Sequence, residues 1–209
     1  IGNGVDPKQF DLNFNKSKIN FIKNKYNLYK DKKIILINGR LVQEKGHLEL
    51  IKACQNIDCY IIIIGHVDNN NKHAKNIKSE IDKISKLDNF KKKIHLIGYT
   101  KDVPNLLQIA DIFVLPTYGE GLNRSIIEAM FASLPIITTN ILNNKELVIN
   151  DFNGFLVPVR DVEKLRKSII KLLGDADLRE EMGNNSKNLA YSNNNIKDVV
   201  ERHIKYMQL

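Results

Sequence analysis

Ile34-Ile35-Leu36-Ile37-Asn38-Gly39-Arg40-Leu41-Val42-Gln43-Glu44-Lys45-Gly46 is the stretch from which the fold can be read. Its first four residues are large and apolar, three of them β-branched, and none supplies a polar face. Such a run is a strand buried on both sides. A loop with two cations and a carboxylate follows. Beyond it, Leu48, Ile51 and Ala53 fall on one face of a helix. The same order recurs down the chain. Cys59–Ile64 is a second strand, stopped by Gly65, and residues 76–87 form an amphipathic helix with Ile77, Ile81 and Ile84 inward. Residues 94–97 are a third strand, ended by Gly98. Residues 102–110 are a short helix with Asp102 as N-cap and Pro104 in its first turn. Ile112–Leu115 is a fourth strand, residues 122–133 a helix, Ile136–Thr139 a fifth strand and residues 155–157 a short sixth. Short apolar strands alternating with helices predict a doubly wound α/β fold. Its six-stranded, Rossmann-like, mostly parallel sheet is covered on both faces.

The tail reads as helices alone. Residues 161–174 carry Asp161 as cap, Leu165, Ile169 and Leu172 inward, and Gly174 as terminator. Helices at 178–190 and 195–207 follow, separated by a turn at 193–195 and expected on the sheet's edge.

Composition excludes several classes. The 209 residues are 43% hydrophobic, enough for a core, yet no apolar run approaches the roughly 20 residues a bilayer requires. The net charge is +8, which raises the question of nucleic acid. Of 32 basic residues, however, only six are Arg, and the 26 Lys are scattered among Asn and Ile. A nucleic-acid surface favours Arg interleaved with aromatics. The expectation is therefore no nucleic acid, and at most a peripheral attraction to an anionic membrane. Cys54 and Cys59 read as buried free thiols. His47, His66, His73, His95 and His203 are dispersed, so no metal site is expected. Ile at position 1 suggests a piece of a longer chain.

In a doubly wound sheet of order 3-2-1-4-5-6, the ligand crevice lies beyond the carboxyl ends of strands one and four. The loop after strand one carries Gly39, Arg40 and Lys45; that after strand four is Pro116-Thr117-Tyr118-Gly119-Glu120-Gly121. The helix that follows opens near Gly121-Leu122, and its unsatisfied amides favour an anion. With Arg40 and Lys45 opposite, this is a site for a diphosphate. Neither a Gly-x-Gly-x-x-Gly fingerprint nor a Walker Lys is present. Glu120 and Glu128, seven residues between them, suit hydroxyl groups at either end of the diphosphate, a sugar on one side and a ribose on the other.

These residues resemble a known family. Gly39-Arg40-Leu41-Val42-x-Glu44-Lys45-Gly46, Gly119-Glu120-Gly121-Leu122-x-Arg124-Ser125-x-x-Glu128-Ala129-Met130, Leu134-Pro135-Ile136-Ile137 and Asn153-Gly154-Phe155-Leu156-Val157 together resemble glycosyltransferase family 4. Those are retaining enzymes of the GT-B fold, two Rossmann-like domains across a cleft. The match corresponds to the C-terminal, donor-binding domain of enzymes that build bacterial surface polysaccharides or lipid-linked glycans. The resemblance implies residues 1–15 as the end of an interdomain linker, 16–192 as the nucleotide-sugar domain and 193–209 as a C-terminal helix. It implies that Arg40 and Lys45 neutralise the donor diphosphate, with Glu120 positioning the transferred sugar. It also implies donor contacts from Gly39, Gly121, Leu122, Asn123, Arg124 and Ser125, with Glu128 on the ribose. The base is expected near Gly98-Tyr99-Thr100. A UDP-sugar is implied as co-substrate ahead of a GDP-sugar, without a metal, and a glycan or lipid-linked acceptor is bound by an N-terminal domain of the same chain. The setting implied is cytoplasmic, peripheral at the inner membrane face.

Two departures stand out. The family often has Gly-Gly ahead of the Glu in the loop after strand five, where this chain has Asn143-Asn144-Lys145-Glu146. It often has Gly-x-Gly after strand two, where Gly65-His66-Val67 stands here. Glu146 reads either as a sugar-site residue or as a cap for a short helix at 147–149. Two other functions stay open at this level: a phosphorylase or epimerase of the same fold, and a nucleotide-binding module that catalyses nothing.

Overall fold

A computed structural model describes residues 4–10, 15–29, 31–68, 70–121 and 123–207. From the first strand onward the alternation is as the sequence predicts. Helix α1 (Lys16–Lys25) precedes β1 (Lys33–Asn38), α2 (His47–Ala53), β2 (Cys59–Ile64), α3 (Lys72–Ile84) and β3 (Ile94–Gly98). Then come α4 (Val103–Ile109), β4 (Ile112–Leu115), α5 (Arg124–Phe131), β5 (Ile136–Thr139), the one-turn α6 (Leu142–Lys145) and β6 (Gly154–Val157). Helices α7 (Val162–Gly174), α8 (Ala176–Asn194) and α9 (Ile196–Met207) complete the order.

The sheet runs β3-β2-β1-β4-β5-β6, and every neighbouring pair is parallel. Burial follows position. β2 is buried at all six residues and β4 at all four, whereas the edge strand β3 is only half-buried. The core is one continuous cluster from Val5 to Ala190. The order reverses between β1 and β4, so the crevice opens there, beyond Asn38 and Leu115.

Several local readings need correction. Asp102 occupies the N-cap position of α4, but its side chain makes no cap bond. Its carboxylate is taken by Lys25 and by the Tyr26 hydroxyl, 2.8 Å away, and so joins α4 to α1. Those two hydrogen bonds, Lys25 first, hold the Asp102 carboxyl below its ordinary value. Asn193 and Asn194 are not in a turn; they continue α8, and the chain breaks at Asn195 alone. Helix α8 lies chiefly against α5, with lesser contact to α7, α9 and β5, rather than along the sheet's edge. Helix α5 begins at Arg124, later than expected, and α6 precedes Glu146 where a helix after it was anticipated.

Two glycines hold the switch point together. Gly46, between the β1 loop and α2, has φ +72, and a Cβ there would lie 2.2 Å from the Pro116 carbonyl oxygen. Gly65, ending β2, passes so near the β1 loop that a Cβ would meet the Gly39 carbonyl at 2.0 Å. That close approach lets Gly39 N donate to Ile64 O at 2.9 Å and Leu41 N to His66 O at 3.2 Å. Gly46→Ala combines a left-handed backbone with a main-chain clash. It should destabilise the protein by about 2 kcal/mol or more, read as a lowered urea midpoint with unchanged slope.

Candidate functional site

Beyond the ends of β1 and β4 lies an open cleft lined by Asn38, Gly39, Arg40, Lys45, Glu120, Asn123, Arg124, Ser125 and Glu128. Topology thus brings together most of the residues the sequence singled out. Gly121 lies on the same loop, and a Cβ there would meet nothing within 4 Å. Tyr99 is not part of the cleft: it follows the edge strand β3 and is 76% exposed. Leu122 lies outside the described residues.

The loop after β4 is fastened to the loop after β1. The Glu44 carbonyl accepts from Tyr118 N at 2.7 Å and from Thr117 Oγ1 at 2.8 Å. The Tyr118 hydroxyl donates to Glu49 Oε1 on α2 at 2.6 Å. Burial, and then that carboxylate, holds the Tyr118 hydroxyl above its ordinary value, so it remains a donor. The Arg160 guanidinium stacks 4.6 Å from the Tyr118 ring centroid, adding the loop after β6 to the same joint.

Beneath the cleft is an amide and hydroxyl network. Asn144 is fully buried; its Nδ2 donates to Thr138 Oγ1 at 2.8 Å and to Thr139 O at 3.1 Å. Its Oδ1 accepts from Asn123 Nδ2 at 3.2 Å. Asn123 therefore faces the sheet instead of capping α5, and it accepts from the Ser125 hydroxyl at 3.2 Å. The N-terminus of α5 is thus left without a side-chain cap, its first amides open to an anion. Asn143 works beside it: its Nδ2 donates to the Glu120 carbonyl and, at 3.2 Å, to the Gly121 carbonyl. These asparagines stand where the resembled family has Gly-Gly, and here their side chains shape the loop. Nothing in their local sequence marks this role, because their partners are 5 to 23 residues away.

The charges of the cleft are arranged in pairs. Lys45 Nζ contacts Glu120 Oε1. Arg124 Nε donates to Glu128 Oε1 at 2.9 Å, one turn along α5. Arg40 is exposed, and its side chain has no ionic partner among the described residues. The sequence reading expected cations facing a ligand and carboxylates flanking it; in this structure each carboxylate is already held by a cation.

His47, at the start of α2, is buried and supports the cleft from behind. Its Nε2 donates to the Arg40 carbonyl at 3.0 Å, and its Nδ1 is buried without a partner among the described residues. Cys54 and Cys59 are both free and buried. A hydrogen bond between them holds the Cys59 thiol low and pushes the Cys54 thiol up. Among the described residues, no group of three or more His, Cys, Asp or Glu could hold a metal.

A six-stranded Rossmann-like sheet with an uncapped helix start facing paired and unpaired cations across its switch point has the architecture of a GT-B glycosyltransferase domain. The chain belongs to the glycosyl transferases group 1 family, whose model matches residues 18–189. A galactosyltransferase of Escherichia coli, named UDP-Gal:alpha-D-GlcNAc-diphosphoundecaprenol alpha-1,3-galactosyltransferase, is 30% identical, over 97% of this chain and 51% of its own. A glycosyltransferase from Rickettsia africae superposes with a TM-score of 0.88 at 24% identity, over 98% of this chain and 55% of that one. Anabaena Alr3699/HepE in complex with UDP and glucose gives 0.88 at 19% identity, over 99% of this chain and 55% of that one. These two superpositions show the shared fold. This chain spans about half the length of the curated relatives it matches.

His47 makes stability depend on pH. Burial lowers its pKa from 6.5 to about 4, so the folded state binds the neutral ring. A depressed basic group contributes fully above the unfolded pKa of 6.5 and loses that contribution as pH falls towards 4. Between pH 7 and 4.5 the protein should lose about 2 kcal/mol more stability than a His47→Gln variant. Paired urea titrations at the two pH values measure this; parallel losses in the two proteins would refute it.

Proposed function

We propose that this chain is the donor half of a retaining glycosyltransferase that takes a nucleotide-activated sugar, a UDP-sugar first, and passes the sugar to a glycan or lipid-linked acceptor. The observation that carries this reading is the uncapped start of α5 facing Arg40 across the switch point, with a carboxylate on each side. A diphosphate laid between them meets the α5 amides on one side and the Arg40 and Lys45 cations on the other. As the bond from sugar to phosphate breaks, negative charge grows on the departing diphosphate. Fixed cations and amides stabilise that charge more than they stabilise the ground state. They supply what a divalent metal would otherwise supply, so the reaction is proposed to need none. Glu120 accepts from hydroxyls of the transferred sugar, and Glu128 from those of the ribose. The base extends towards Gly98–Thr100. Attack on the same face as the departing group gives retention.

The names of the similar proteins support the substrate class. The E. coli enzyme uses UDP-Gal and a diphosphoundecaprenol-linked acceptor, and the Anabaena protein was crystallised with UDP and glucose. A second domain of the same protein, facing the cleft, is proposed to bind the acceptor. A lipid-linked acceptor would bring the enzyme to the inner face of a membrane, where surplus lysine favours anionic headgroups.

Calorimetric titration with UDP and with uridine tests the assignment. Arg40→Ala should weaken UDP by about 1.5–3 kcal/mol, the scale of a charge-assisted contact, and leave uridine nearly unchanged. Equal losses for both ligands would overturn the diphosphate role. Glu128→Gln should weaken UDP and uridine alike; an effect confined to UDP-sugars would remove the ribose role. If the unmodified chain bound neither UDP nor any UDP-sugar, the donor reading itself would fail.

A further inference from the structure

The two ion pairs of the cleft differ in how they are held. The Arg124 side chain is 61% exposed, so its pair with Glu128 is open to water and salt. The Lys45 and Glu120 side chains are only 16% and 9% exposed. Their main chains are fixed as well. Asn143 holds the carbonyls of Glu120 and Gly121, and Lys45 N donates to Val42 O at 3.1 Å. The Lys45 stem runs beside Gly39, where an added Cβ would come within 3.3 Å of it. Any rearrangement of this pair is therefore confined to the ends of two side chains.

An anion that claims Lys45 takes the counter-ion from a nearly buried carboxylate. A carboxylate so stripped must find new donors or stay unpaired and desolvated. A diphosphate alone offers Glu120 only further negative charge. A diphosphate carrying a sugar also brings hydroxyl donors alongside it. We propose that Glu120 is the site's own competitor for Lys45, displaced when a nucleotide-sugar binds and restored to Lys45 once only the nucleoside diphosphate remains. The sugar's hydroxyls compensate the released carboxylate, so the cleft holds the donor in preference to the spent nucleotide. When the sugar leaves, Glu120 returns to Lys45 and helps expel the product. No bond is made or broken in this exchange; one ion pair is replaced by another. The inference rests on the donor-site reading above and adds to it a reason for the Lys45–Glu120 contact.

The experiment is calorimetric titration of the chain with UDP, and with whichever of UDP-glucose, UDP-galactose and UDP-N-acetylglucosamine binds it most tightly. Glu120→Gln keeps the shape and removes the charge. It should tighten UDP by about tenfold, the scale of freeing one charge-assisted contact from Lys45 to the diphosphate, while leaving the UDP-sugar unchanged or weaker. In a Lys45→Met background the same substitution should give no such gain, because there is no cation left to compete for. Thermal unfolding of each variant checks that it is folded. Unchanged or weakened UDP binding in Glu120→Gln would overturn the proposal and leave the donor reading intact. So would a gain that persists in the Lys45→Met background, which would indicate general charge repulsion. Failure of the unmodified chain to bind UDP or any UDP-sugar would remove both.

Discussion

One main-chain oxygen, the carbonyl of Glu44, ties together the loops of the two halves of the sheet where the cleft opens. It accepts from Thr117 Oγ1 and Tyr118 N, on a loop that starts some seventy residues later in the chain. Each half of a doubly wound sheet ends its strands in a separate loop, and nothing in β-pairing fixes how far apart those loops lie. Here the Glu44 clamp fixes it. Gly46 allows the approach because its backbone is left-handed and its missing Cβ leaves room for the Pro116 carbonyl. The Tyr118 hydroxyl on Glu49 and the Arg160 guanidinium on the Tyr118 ring then lock the joint from outside. Arg40 and Lys45 therefore face the start of α5 at a distance set by hydrogen bonds rather than by long flexible side chains.

Charge balance follows from that fixed geometry. Three cations and two carboxylates share the cleft, and a carboxylate as buried as Glu120 could not stand there alone. Pairing it with Lys45 solves the problem of the folded chain without a ligand. It also commits the most enclosed cation of the cleft to an internal partner. Arg40, exposed on the loop, is the cation left to meet an anion first. The cleft is thus positive at its rim and balanced in its interior, an arrangement that leaves no carboxylate unpaired among its described lining residues.

How much of this was legible in the sequence depended on how local each signal is. The strands were legible because four to six consecutive apolar residues, as in β2, leave no polar face for any other placement. The strand order followed from topology, and with it the meeting of Arg40, Lys45, Glu120 and Glu128. What was hidden is what depends on partners far along the chain. Asp102 looks like a cap and serves as an anchor for α1, because Lys25 and Tyr26 reach it first. Asn123 has the residue type of an N-cap, yet Asn144 draws its side chain inward. The run of asparagines near position 194 looks like a turn, but its backbone continues α8 to the break at Asn195. The Lys45–Glu120 contact joins residues 75 apart, and no spacing rule reaches that far.

Asn143 and Asn144 separate two properties that are usually entangled. Their amides grip the carbonyls of Glu120, Gly121 and Thr139 and the side chain of Thr138, and, of the cleft's described lining side chains, that of Asn123 but none of the charged ones. The course of the loop is therefore specified from below, by residues outside the cleft lining, and the charge of the cleft from above, by Arg40, Lys45, Glu120, Arg124 and Glu128. Substitutions at the lining can accumulate without redrawing the backbone beneath them. The cleft is thus a fixed frame with exchangeable fittings: a charged side chain on its lining can change while the main chain beneath keeps its course.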